Sequence, residues 1–164
     1  KHPRVNILTP GPGVGGHCIA IDPLFIISDF PNNSKIIKQA RKTNDYKSKW
    51  CVNKILETIN NFKDKNNIDP IVAFMGLTFK PNVNDLRESP SEKITRTLII
   101  DYNLKNYHIV DPHIKEYVYP LSNLESALNK SDIVIFLVAH KLFENIKIKD
   151  NQTVLDFCGI TNNF

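Results

Sequence analysis

Only three cysteines occur in the 164 residues, Cys18, Cys51 and Cys158, and no two of them share a C-x-x-C spacing. Neither a zinc site nor a disulfide framework is suggested, and a reducing, cytoplasmic setting is expected. Long apolar runs are missing as well. The longest, such as Ile133–Ala139, fall far short of the roughly 20 residues a bilayer demands, so no membrane segment is expected. No secretory pattern opens the sequence at Lys1-His2-Pro3-Arg4, and the lack of an initiating Met leads us to expect a piece of a longer chain. An excess of one charge is also absent: 21 Lys and Arg face 17 Asp and Glu. The densest basic stretch, Lys35 to Lys49, has no aromatic platform and reads as a solvated helix face rather than a nucleic-acid surface. Contact with an anionic ligand or another subunit stays open for it. Glycine is scarce, with six in all, yet four of them crowd between positions 11 and 16.

The rest of the chain falls into three zones. The first holds a strand candidate at Val5–Leu8, the glycine loop, and an apolar stretch opened by Asp22-Pro23. There the carboxylate can cap a helix whose first position suits Pro. After Pro31-Asn32-Asn33, residues 34–66 contain no Gly or Pro, and Ile36, Ile37, Ala40, Trp50, Ile55, Ile59 and Phe62 recur at helical spacing. This predicts one helix of about 50 Å, long enough to bridge domains or build a subunit interface, with Trp50 in core or interface. Its middle, Lys42–Lys49, is polar all round and suits a solvent-crossing bridge.

Beyond Asp69 strands and helices alternate. Strands are predicted at Ile71–Leu77, His108–Val110, Asp132–Val138 and Thr153–Phe157. Capping boxes at Ser89-Pro90-Ser91-Glu92 and Ser122-x-x-Glu125 open helices running to about Tyr102 and Asn129. Such alternation implies a parallel α/β sheet, whose ligands bind beyond the carboxyl ends of the strands. The loops after Leu77, Val110 and Val138 are therefore where binding is expected.

Two constellations carry chemistry. Gly11, Gly13 and Gly16 formally match G-x-G-x-x-G, but Pro12 sits inside the turn, His17-Cys18 follows instead of a helix, and no complete βαβ unit surrounds it. A backbone-rich loop approaching an anionic or sugar ligand fits better. Cys18 leaves that loop near the positive end of the helix begun at Asp22, which favours thiolate; a small buried apolar role is the alternative. The second constellation, Gly76 to Pro90, joins a buried strand to a capped helix. Lys80 and Arg87 there can neutralise phosphates, or Asp85 and Arg87 can simply brace the loop beside a solvated Lys80. Asp111 can take ribose hydroxyls or form an Asp-Pro turn, and His140 reads as a loop histidine.

Together these residues resemble the UDP-glucose/GDP-mannose dehydrogenase family. Its members carry a Gly-Gly-x-Cys-x-x-x-Asp loop, a long central helix, and a later Phe-Lys…Asp-x-Arg-x-Ser segment. All three stand here in order: Gly15-Gly16-His17-Cys18…Asp22, the helix, then Phe79-Lys80…Asp85-Leu86-Arg87-Glu88-Ser89. The resemblance implies an α/β architecture in which a long bridging helix precedes a Rossmann-like, parallel-sheet UDP-binding domain. Residues 1–33 would end the catalytic domain, 34–67 form the dimerisation helix and 68–164 the UDP-binding domain. It implies oxidation of a UDP-sugar at C6 with two NAD+. Cys18 would be the nucleophile and Asp22 would handle the hydrolytic water. His2, Arg4, Gly15, Phe79 and Lys80 would contact substrate, and Arg87 would contact NAD. No metal is implied.

The His-Cys loop points to the branch acting on UDP-N-acetylhexosamines, with UDP-N-acetyl-D-mannosamine as the expected substrate and UDP-N-acetylglucosamine as the alternative. Ile21 stands where glucose-type members carry a Lys against the cofactor. The family's N-terminal NAD-binding domain has no counterpart in these residues, nor does its upstream Lys/Asn pair. The expectation is thus of a portion needing that domain, inactive alone and associating as a homodimer or higher oligomer. A non-catalytic UDP-sugar-binding module is a competing reading. An unrelated thiol enzyme is disfavoured, because His17 adjoins Cys18 too closely to serve as its base.

Overall fold

The computed structural model describes residues 9–161, so the strand expected at Val5–Leu8 and the residues His2 and Arg4 lie outside the described residues. Helix α1 spans Asp22–Asp29 and α2 spans Lys35–Asn66 as one helix of 32 residues. Strand β1 (Val72–Met75), helix α3 (Pro90–Ile100), strand β2 (Tyr107–Val110), helix α4 (Leu124–Lys130), strand β3 (Ile133–Phe136) and strand β4 (Thr153–Asp156) follow. All pairs are parallel, in the order β2-β1-β3-β4. Among the described residues, no helix is long and apolar enough to cross a membrane.

Near-continuous apolar strands are what a sheet covered on both faces requires. Val72 and Phe74 of β1, Ile109 of β2 and Ile133 and Ile135 of β3 point to one face, where Cys51, Ile55 and Ile59 of α2 and Ile94 and Leu98 of α3 meet them. Ala73, Met75, Val110, Val134 and Phe136 point to the other, against Ala127 of α4 and Phe143. Each fully buried Ile or Phe contributes about 1.5–3 kcal/mol of transfer free energy. Trp50 packs at the edge of the first cluster, its ring edge-on to Phe157 at 6.0 Å.

The helix ends show which local signals governed. Ser89 is extended, its hydroxyl accepts from the Glu92 N–H, and Pro90 occupies a first-turn position that needs no donor. At α4 the cap is Asn123 rather than Ser122. The Asn123 side chain accepts from the N–H groups of Glu125 and Ser126, while the Ser122 hydroxyl pairs with His108 Nδ1 at 2.9 Å. At α1 no side chain caps. Asp22 is already helical, and the Cys18 carbonyl accepts from Ile21 N–H at 2.9 Å and Asp22 N–H at 2.8 Å. Helix α2 ends on Asn67 in the left-handed region, φ 57°, a conformation Asn tolerates.

From β1 the chain crosses by α3 to β2 on one side, then by α4 to β3 on the other. The strand order therefore reverses between β1 and β3, and a crevice forms beyond their carboxyl ends. The loops 76–89 and 137–141 frame it.

Candidate nucleotide and thiol site

The glycine loop closes over this crevice. A cleft of about 300 Å3 is bounded by Gly11, Gly15, Phe79, Lys80, Ala139 and Cys158, among others. Two glycines explain how the loop comes so near. A Cβ on Gly15 would strike the Glu88 carbonyl and lie 2.8 Å from Pro90 Cδ, and one on Gly16 would lie 2.9 Å from the Phe79 ring. Gly16 also has φ 92°, where a side chain is strained. Its N–H donates to the Arg87 carbonyl at 3.1 Å. We expect Gly15→Ala to push the loop off the 87–90 backbone at a cost of about 1–3 kcal/mol. The check is amide hydrogen exchange, in which Gly16 should lose protection. Unchanged protection would show that the contact is not needed.

The loop is held from behind by α2, which sequence reading missed. Asn44 Oδ1 accepts from the Val14 N–H at 2.7 Å, and Asn44 Nδ2 donates to the Val14 carbonyl at 3.3 Å. One turn later the Ser48 hydroxyl donates to the Pro12 carbonyl at 3.1 Å. The polar middle of the helix is thus a grip on the loop, not a bare solvent crossing. Asn and Ser at i and i+4 face one way, but that spacing alone does not set them apart from a solvated face.

Beyond this grip the loop emerges, with His17 and Cys18 exposed and Asp22 exposed in the first turn of α1. Arg87 lies alongside. Its Nε and Nη2 hold Asp85 at 2.6–3.1 Å, and Nη1 has no hydrogen bond among the described residues. The hydrogen bond from Arg87 holds the Asp85 carboxyl down to about 2, with a smaller contribution from nearby His17. Hydrogen bonding to Asp85 raises the Arg87 guanidinium, and Cys18 adds to the effect. Asp85 and Arg87 thus form an ion pair within the loop, and Lys80 is exposed. The other two thiols are less exposed than Cys18. Burial pushes Cys51 up to about 11, and burial with the adjacent Asp156 pushes Cys158 up to about 12.

Of the residues picked out from sequence, Gly15, Phe79 and Lys80 share the cleft. Cys18 and Asp22 are joined through the Asp22 N–H to Cys18 carbonyl bond, outside its lining. Asp111 resolves as a buried turn former rather than a ribose partner: Oδ1 accepts from the N–H groups of His113 and Ile114, Oδ2 from those of Leu77 and Thr78. His140 lies in the loop after β3, as expected, yet it is fully buried.

The family model described as the UDP binding domain of the UDP-glucose/GDP-mannose dehydrogenase family matches residues 73–163, and the central-domain model of that family matches residues 1–46. A protein of Ralstonia solanacearum named NDP-N-acetyl-D-galactosaminuronic acid dehydrogenase is 44% identical over 98% of this chain and 38% of its own length. A UDP-N-acetyl-D-mannosamine dehydrogenase of Campylobacter jejuni is 43% identical over 96% of this chain and 39% of its own. The solved UDP-D-ManNAc dehydrogenase from Pyrococcus horikoshii superposes with a TM-score of 0.75 at 29% identity, covering 97% of this chain and 38% of that one. The chain therefore spans well under half the length of the relatives it matches. With more than half of its residues inside the UDP-binding model, the chain belongs to the UDP-glucose/GDP-mannose dehydrogenase family.

Proposed function

We propose that this chain is part of a nucleotide-sugar 6-dehydrogenase and contributes the thiol loop and the nucleotide-binding half of the substrate site. The observation that carries the reading is the seating of Gly15 and Gly16 on Phe79 and the Glu88–Pro90 backbone, which joins thiol loop and sheet crevice. In this reading residues 1–33 end a catalytic domain, 34–67 form a dimerisation helix and 68–164 bind UDP. Exposed Leu24, Phe25, Ile26, Phe30 and Ile36 around that helix support self-association. The protein would work in the cytoplasm.

Lys80 offers its ammonium to the diphosphate and Phe79 its ring to the sugar nucleotide. The Cys18 sulfur adds to the C6 aldehyde to form a thiohemiacetal, and the thioester formed later is hydrolysed by water that Asp22 orients or deprotonates. The Nη1 edge of Arg87, which has no hydrogen bond among the described residues, fits an anionic pyrophosphate, so Arg87 would help hold NAD. When bound, NAD+ supplies the hydride acceptor for both oxidations, its own binding domain being furnished by an N-terminal portion of the protein. His2 and Arg4 are assigned to substrate by family likeness alone.

Calorimetry with UDP tests the nucleotide half. The chain should bind, sediment as a dimer, and lose about tenfold in affinity on Lys80→Ala. Absence of binding would remove the reading. Supplying the NAD-binding portion should yield NADH from UDP-N-acetyl-D-mannosamine, whereas NADH from the chain alone would contradict its being incomplete. The Ralstonia relative's name favours a second sugar, an N-acetylgalactosamine type, and parallel assays with that and UDP-N-acetylglucosamine separate them.

A further inference from the structure

The turn that carries half-buried Phe79 and exposed Lys80 is held by three polar ties. The Thr78 hydroxyl donates to the Lys80 carbonyl at 2.9 Å. The Asn82 N–H donates to His140 Nδ1 at 3.0 Å. Asn82 Oδ1 accepts from the Lys141 N–H at 3.0 Å, with Asn82 itself at φ 59°.

His140 is central to these ties. Because Nδ1 accepts from Asn82, the neutral ring carries its proton on Nε2. Nε2 lies 3.2 Å from Asp111 Oδ2 and 3.2 Å from Thr78 Oγ1, and both oxygens can accept from it. The ring is 0% exposed and so has no water to fall back on. One edge thus satisfies the buried Asp111 carboxylate, and the other fixes the backbone two residues past Lys80.

We propose that His140 is a positioning residue for the nucleotide, acting through Asn82 to set the turn that presents Phe79 and Lys80. The inference rests on the reading above that those two residues hold the nucleotide. A core-filling histidine would matter only through stability, and the two edges allow the roles to be told apart. In His140→Asn the amide oxygen takes the place of Nδ1 and keeps the Asn82 tie, but nothing reaches Asp111. In His140→Gln the amide reaches Asp111, and the acceptor for Asn82 is gone.

The positioning role therefore predicts opposite orders. His140→Gln should melt nearer the wild type yet bind UDP about tenfold more weakly, with the Asn82 amide exchanging fast. His140→Asn should melt lower yet keep UDP affinity within about threefold. Affinity that follows melting temperature in both variants would overturn the proposal. If the wild type itself binds no UDP, the nucleotide reading fails. Asn82 exchange then decides for the tie alone, and equal exchange in both variants overturns it. Should both variants fail to fold, the ring nitrogen spectrum of the wild type decides. A proton on Nε2 with unprotonated Nδ1 supports the tie, and a proton on Nδ1 sinks it.

Discussion

Asp111→Ala should destabilise the chain by about 3–5 kcal/mol, because it strips one partner from a buried, hydrogen-bonded cluster. Its carboxylate accepts from Leu77 N–H at 2.7 Å, Thr78 N–H at 3.3 Å, His113 N–H at 2.9 Å and Ile114 N–H at 3.2 Å, besides His140. Each donor left buried without a partner costs about 1–3 kcal/mol, and entry of water into the space recovers part of the sum. Asp111→Asn keeps one accepting oxygen and should cost less, about 1–3 kcal/mol. Burial pushes the Asp111 carboxyl up, but the hydrogen bonds from His140, Leu77 and His113 outweigh it, so the group sits below its ordinary value. The sign follows. Its contribution is complete above the ordinary carboxylate value of about 3.9 and is lost as pH falls through the lower folded value. Denaturant melts from pH 7 downward check both points. The wild type should lose stability in acid more steeply than Asp111→Asn, and a loss under about 1 kcal/mol for Asp111→Ala would refute the cluster's importance.

Cys18→Ser should abolish sugar oxidation by the complemented enzyme, by roughly 10³-fold or more, while leaving UDP affinity within about twofold. A serine hydroxyl is a far weaker nucleophile than a cysteine thiol near neutral pH, and Cys18 lies outside the cleft lining. The chain by itself offers a second readout. Cys18 is exposed, Cys51 is buried and Cys158 is half-buried, and the latter two thiols are pushed up to about 11 and about 12. Near pH 8 alkylation should show one fast thiol per chain, and Cys18→Ser should erase that phase. Oxidation that survives the substitution would dismiss Cys18 as the nucleophile.

What the sequence disclosed tracks how local the physics is. Strand runs, the Ser89 cap and the unbroken 35–66 helix depend on neighbours in the chain, and they stand where periodicity put them. Asn123 displaced Ser122 as a cap because His108 engages Ser122, a partner 14 residues away. The glycine loop stood out in sequence, but the residues that hold it did not. Asn44 and Ser48 contact a backbone 30 and 36 residues away, and on a helix wheel they look like any solvated stripe. The burial of His140 and Asp111 was hidden for the same reason. A lone polar residue after a strand reveals nothing of the N–H groups that folding will point at it.

Helix α2 touches both walls of the crevice region, gripping residues 12–14 through its first half and covering the sheet through Cys51, Ile55 and Ile59 in its second. These two attachments share one uninterrupted rod with no Gly or Pro at which to bend. The spacing between thiol loop and sheet is consequently a rigid-body property, set by the count of residues between Asn44 and Ile55. Lengthening the rod there by one residue would advance the register by about 100° and 1.5 Å, turning Asn44 away from Val14 while every side chain of the site stayed the same.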